Sequence, residues 1–209
     1  MDLQYYGANC VVLVYKGMRI VVDDNLAELG CKSITKAGDV LLYTSSPRSK
    51  PGPEAKIVID QPGEFEIGDI SIMGIAVRGH MDDENQHSNT IFKIIAGELS
   101  VLVTGHMHPD VVENQLEVIG IVDVMFIPVG GNGYTLDPVG ALKVIKEVEP
   151  SLIIPTHYAD KEIKYQVPQL DLNSALKELA MEPKEVTNKL RLKTGELSDI
   201  TQLVVLEKS

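Results

Sequence analysis

Asp123-Val-Met-Phe-Ile-Pro-Val-Gly-Gly131, carried on through Asp137-Pro138 to Ser151-Leu-Ile-Ile-Pro-Thr-His157, decides the architecture. Val122–Pro128 and Ser151–Thr156 are apolar runs of strand length. Between them, Asp137–Glu149 places Val139, Leu142, Ile145 and Val148 at three-residue steps. Asp137 can cap that helix and Pro138 suits its first position. Strand, amphipathic helix and strand in this order suggest sheets with helices packed outside them.

Upstream the texture is more purely β. Leu3–Tyr6, Cys10–Tyr15 and Met18–Asp23 read as strands, with Lys16-Gly17 as a hairpin turn. Val40–Thr44, Lys56–Asp60, Glu64–Ile67 and Asp69–Val77 continue the pattern, and Asn89–Ala96 and Leu99–Thr104 form a hairpin around Gly97. Helices are expected over Pro109–Ile119, with Val112, Leu116 and Ile119 on one face, and over Asp171–Met181. Gln202–Leu206 closes the chain as a strand. One α/β domain with a large β fraction, spanning 1–209, accounts for all of this.

Composition narrows the function. The 209 residues are 44% hydrophobic and 23% charged, which excludes a disordered or fibrous chain. The longest apolar run is about half of the ~20 residues a membrane span needs. Met1–Tyr15 lacks a basic n-region, so a cytoplasmic location is expected. A net charge of −11 disfavours nucleic acid and anionic membranes as partners. A small-molecule substrate is compatible with it, and so is a homo-oligomer. Cys10 and Cys31 form no CxxC pair, and Cys10 falls in an apolar strand as a buried, inert thiol.

Three of the five histidines sit where a β-rich run stops: His80, His106 and His157. Strand ends in α/β proteins converge on one rim, where three imidazoles could hold a Zn²⁺ and leave a position for water. Unrelated capping histidines are the alternative. In Gly105-His-Met-His-Pro-Asp110, extended backbone would turn His106 and His108 to one side, and Asp110 could add a carboxylate or cap the following helix. His87 lies in a polar loop as a solvated residue. Gly130-Gly-Asn-Gly-Tyr134 permits close backbone approach but matches no phosphate-loop pattern, so it reads as a tight turn. There is no Gly-x-Ser-x-Gly elbow and no Cys–His pair, hence no covalent nucleophile.

Taken in order, several strings resemble the metallo-β-lactamase fold superfamily, in the branch similar to L-ascorbate-6-phosphate lactonase. Tyr5-Tyr-Gly-Ala-Asn-Cys10 is similar to its opening strand turn, Ile20-Val-Val-Asp23 to its structural aspartate motif, and Gln61-Pro-Gly-Glu-Phe-Glu-Ile67 to a segment of that branch. Asp123–Gly131 and Ile154-Pro-Thr-His-Tyr158 are the nearest matches. The resemblance implies a metallo-β-lactamase-like four-layer αββα sandwich with one or two metals at the sheet rim. It also implies a His-x-His-x-Asp-His motif directly after Asp39–Thr44. Ser45, Pro47, Ser49 and Lys50 occupy its four ligand positions instead. None is a usual Zn²⁺ ligand.

His80 stands at the third-motif histidine, His157 at the last, and His106 replaces the bridging aspartate. Two readings follow. One is a hydrolase of a small, phosphorylated or lactone/ester substrate with at most one Zn (or Mn/Fe) ion on His80, His106 and His157. His108 is then an outside ligand, and Asp110 or Asp82 the proton acceptor. The other is a catalytically inactive relative, without metal, kept as a binding or assembly module.

Overall fold

The computed structural model describes residues 1–45 and 54–209, and in it the period-two alternation of each strand sorts side chains into layers. The first sheet joins β1 (Asp2–Gly7), β2 (Cys10–Tyr15), β3 (Met18–Val22), β4 (Val40–Leu42), β5 (Ile57–Ile59) and β13 (Leu190–Arg191) in the order β13-β1-β2-β3-β4-β5. The second joins β6 (Gly63–Ile67), β7 (Ile70–Val77), β8 (Asn89–Ala96), β9 (Leu99–Val103), β10 (Val124–Pro128), β11 (Leu152–Thr156), β12 (Glu185–Thr187) and β14 (Gln202–Leu206). Its order is β12-β14-β11-β10-β9-β8-β7-β6.

Alternate residues of both sheets meet between them. Leu3, Tyr5, Val11, Leu13, Ile20, Val22 and Leu42 face Ile72, Phe92, Ile94, Val101, Val124, Phe126 and Ile154 in one buried core. The opposite parity of the second sheet, Ile91, Leu102, Met125, Ile127, Ile153 and Val205, packs under three helices. These are α1 (Glu113–Ile119), α2 (Pro138–Val148) and α3 (Leu172–Leu179), which insert Ile119, Ala141, Val144, Ile145, Ala175 and Leu179. Each isoleucine, valine or leucine among them contributes roughly 1.5–3 kcal/mol by leaving water. Behind the first sheet, Cys10, Val12, Val21 and Leu41 pack against Leu26, Cys31 and Ile34. Among the described residues that fourth layer is irregular chain rather than helix. Cys10 is fully buried, and burial raises its thiol pKa well above the ordinary value.

Three expectations are corrected. The stripe Val139–Leu142–Ile145–Val148 holds only in part: Ile145 is buried and Leu142 and Val148 pack against the core, but Val139 is 70% exposed, and Pro138, Ala141 and Val144 are buried beside Ile145. A three-residue step slips about 60° around a helix each time, so the series winds off the core. Helix α1 starts at Glu113 rather than Pro109. Val112 is its exposed N-cap residue, its N–H bonded to Gln115 Oε1, so Asp110 does not cap the helix. The edge strands β12 and β13 escape the sequence pattern because Glu185-Val-Thr187 and Leu190-Arg191 hold one apolar residue of strand type each, where the similarly short β4 and β5 are apolar throughout. Register, not hydrophobicity, places them: Val186 opposite Val205 and Leu190 opposite Leu3.

Candidate functional site

Strand direction brings the histidines together. β9, β10 and β11 run parallel, and β7 is related to β9 by two antiparallel pairings, so all four end on one rim. His80, His106 and His157 follow three of those ends. Across the gap, Thr90 N–H donates to Thr44 O at 2.6 Å and Ser45 bridges to Asn89, which ties the first sheet to the same rim. Gly105 seals the junction: with φ +55°, an added Cβ would lie 2.1 Å from Thr44 Oγ1.

Within this rim the His106 and His157 rings meet edge to face at 4.6 Å between centroids. His80 N–H donates to His106 O at 2.7 Å. An open cleft is lined by Ser45, His80, Asp82, Asn89, His106 and Tyr134. Tyr134 packs edge-on against His106 at 4.9 Å, and Tyr165 lies 4.9 Å from the His157 ring. His157 itself is buried and carries φ +53°, a left-handed conformation that costs a non-glycine residue on the order of 1–3 kcal/mol. Its N–H bond to Ala8 O at 2.8 Å and a contact of 3.1 Å from Nδ1 to Gln169 Oε1 hold it there.

Burial, reinforced by the neighbouring His157 and His80, pushes His106 down to about 3. Burial also pushes His157 down to about 4, against the Gln169 hydrogen bond. His80 is lowered by burial and by His108. All three are therefore neutral imidazoles at physiological pH, each with a lone pair. The first-sheet side holds a different group. Asp23, buried at φ +53°, accepts Thr44 N–H at Oδ1 (2.7 Å) and Thr44 Oγ1–H at Oδ2 (2.6 Å). Burial outweighs those bonds and raises its carboxyl to about 6.

The other anticipated residues have separate engagements. His108 is engaged on its own loop: its Nδ1 accepts the Asp110 N–H at 3.2 Å, and its ring lies 6.2 Å from that of His80. Asp110 is exposed and paired with Lys143 of α2. Asp82 lines the cleft, but Oδ2 accepts from Gly79 N and Ser88 N and Oδ1 from Ser88 Oγ. Burial favours its protonation, yet the Ser88 and Gly79 bonds prevail and lower its pKa. Ser45 is exposed at the cleft, while Pro47, Ser49 and Lys50 lie outside the described residues.

The donor set does not fit a two-metal centre. Such a centre needs about three protein ligands per ion. Among the described residues, no three His, Cys, Asp or Glu side chains are grouped so as to hold a metal. Ser46-Pro-Arg-Ser-Lys-Pro-Gly-Pro53 contains none of those residue types. Two nitrogens remain unsatisfied, however: His80 Nδ1 and His106 Nδ1 are buried without a partner among the described residues.

Gln169, Asn89, Tyr134 and Thr44 belong to the rim without having been singled out from the sequence. For Gln169 the available signal was the Gly130-Gly131 pair, which announced a close approach. A Cβ on Gly130 would lie 2.0 Å from His157 O and 2.2 Å from Gln169 Oε1.

Several solved structures share this fold. A Thermotoga maritima protein assigned to the Zn-dependent hydrolases of the metallo-β-lactamase superfamily is 25% identical, with 99% of this chain and 98% of that one covered and a TM-score of 0.75. A Parabacteroides distasonis protein assigned as a metal-dependent hydrolase is 16% identical over 98% and 93% of the two chains, with a TM-score of 0.63. The diiron β-hydroxylase CmlA of Streptomyces venezuelae is 17% identical over 86% of this chain and 49% of its own, with a TM-score of 0.61. No curated protein gives a significant match. The family model for the beta-lactamase superfamily domain matches residues 2–157, from β1 to the rim histidine His157, and with two stacked sheets that end in this rim the chain belongs to that superfamily, in its metallo-β-lactamase fold.

Proposed function

We propose that this hydrolase-family protein has lost the two-metal hydrolytic centre and uses the rim cleft as a binding site for a small polar molecule. The observation that carries the proposal is the pairing of a donor-free segment, Ser46–Pro53, with imidazoles that pack edge to face instead of converging on a point. Neutral histidines, Asn89 and Tyr134 supply hydrogen bonding, and Asp82 is the charged group of the lining. The acidic surface favours a small ligand over nucleic acid or membrane. Descent from a lactonase-like branch, suggested by Gln61-Pro62-Gly63-Glu64, is compatible with such a cleft.

A second reading, a one-metal hydrolase of a phosphorylated, lactone or ester substrate, is favoured by the partnerless Nδ1 atoms of His80 and His106. His80, His106 and His157 would be the ligands of a Zn, Mn or Fe ion, with His108 outside, and Asp82 or Asp110 would take the proton.

Metal analysis by mass spectrometry after chelator-free purification, followed by titration with Zn²⁺, Mn²⁺ and Fe²⁺, separates the two. Less than a tenth of an equivalent of metal, with no saturable uptake, is expected. One tightly held equivalent, together with turnover abolished by His157→Ala in a folded variant, would replace the first reading by the second.

A further inference from the structure

The segment from Tyr158 to Asp171 leaves the rim and returns to it, and its return brings Gln169 under His157. The side chain of Gln169 is oriented by groups that can only accept. Its Nε2 donates to Val167 O at 3.0 Å, with Pro168 O at 3.4 Å. Backbone carbonyls cannot donate, so the NH₂ group must face them and the carboxamide oxygen must face the ring. That oxygen lies 3.1 Å from His157 Nδ1. An amide oxygen is an acceptor, so the hydrogen between them belongs to the imidazole.

We propose that Gln169 is a positioning residue for the rim: it holds the His157 proton on Nδ1 and leaves Nε2 as the lone-pair nitrogen of the ring. The surroundings are built around this contact. Leu170 N–H donates to Gly130 O at 2.9 Å, Ala159 N–H to Leu170 O at 2.9 Å, and Asn132 Nδ2 to Pro168 O, so the returning segment is fastened on both sides of Gln169. Gly130 leaves no room for a side chain between Gln169 and His157. Edge-on His106 and tilted Tyr165 restrict the ring from two further directions.

The chemical consequence is the state of one ring nitrogen. A ring nitrogen without hydrogen accepts from a hydroxyl or amine, or binds a Lewis acid, and it repels the lone pairs of a bare carboxylate or phosphate oxygen. The contact reaches the cleft through His106, which lines it and packs edge to face against the His157 ring, so this inference rests on the binding-site proposal and adds a residue that orients its wall.

Long-range ¹H–¹⁵N correlation spectra at neutral pH test the assignment. Wild-type protein is expected to show His157 Nδ1 at a pyrrole-type and Nε2 at a pyridine-type shift. Gln169→Leu should move both nitrogens toward averaged positions, and Gln169→Glu, which keeps an acceptor, should retain the Nδ1–H pattern. A wild-type Nε2–H pattern overturns the proposal even if the leucine variant fails to fold. So does a folded Gln169→Leu protein with an unchanged His157 signature. Metal uptake is scored separately: a bound ion would sit on Nε2 and leave Nδ1–H intact, so either proposal can fail alone.

Discussion

The two halves of the rim have treated their polar groups in opposite ways. On the first-sheet side, Asp23 and Thr44 have closed on each other: both carboxylate oxygens are taken by one residue's amide and hydroxyl. On the second-sheet side, His80 and His106 each keep a buried nitrogen without a partner. Both halves carry a buried non-glycine residue at positive φ, Asp23 and His157. The contrast teaches where a function can persist. A satisfied pair stabilises the fold and offers nothing, whereas an unsatisfied imidazole costs stability and can be redeemed by a ligand.

Severing the two halves should give the largest effect. Gly105→Val puts a branched side chain into Thr44 at a backbone angle that valine resists, and a loss on the order of 3 kcal/mol or more is expected from overpacking plus strain. Denaturant unfolding measures it. A loss under about 1 kcal/mol would mean the halves are not mechanically joined there.

Acid separates the halves by sign. Asp23 has a folded pKa raised to about 6 from 3.8, so its contribution to stability grows as the pH falls through 6 toward 4. His106 and His157 are lowered to about 3 and 4 from 6.5, so the stability they carry is full above 6.5 and is lost as the pH falls toward those values. Between pH 6 and 4 the unfolded chain holds two histidine protons that the folded chain lacks, and the folded chain holds one aspartate proton that the unfolded chain lacks. These three groups together should therefore lose about 1.4 kcal/mol per pH unit, with His80 adding in the same direction. Asp23→Asn removes the opposing term and should roughly double that loss, while His106→Gln should flatten it. The difference between each variant's unfolding free energy and that of the parent, followed from pH 7 to pH 4, checks both. Parallel profiles for all three proteins would refute the contrast.

The smallest effect should come from outside both halves. Asp110→Ala breaks an exposed pair with Lys143, where roughly half of each side chain meets solvent, and is expected to change stability by less than about 0.5 kcal/mol. Ligand or metal titrations of the cleft should not change with it. A tenfold change in affinity would bring Asp110 back into the site.

Much of the fold was legible because strand periodicity is local. β2, β8 and β14 have the bounds their alternation predicts, and Asp137 and Asp171 cap α2 and α3 through Gly140 N and Ser174 N. Reading failed where neighbours decide. Val139 looked like a core residue until the sheet beneath α2 chose a different face, and Leu190 joins a sheet only because Leu3 lies opposite. The site was half legible in the same sense: three strand-end histidines marked it, but nothing local distinguished His108 from them or pointed to Gln169.

By itself the sequence determined the alternating faces, the rim positions of His80, His106 and His157, and the absence of any ligand type in Ser46–Pro53, because each follows from residue identity and a short repeat. Only the tertiary structure decided that His106 and His157 touch, that Asp23 is spent on Thr44, and that Gln169 sits under His157. Burial and hydrogen-bond partnership are properties of what the chain brings alongside, and those groups come from strands and loops far apart along it.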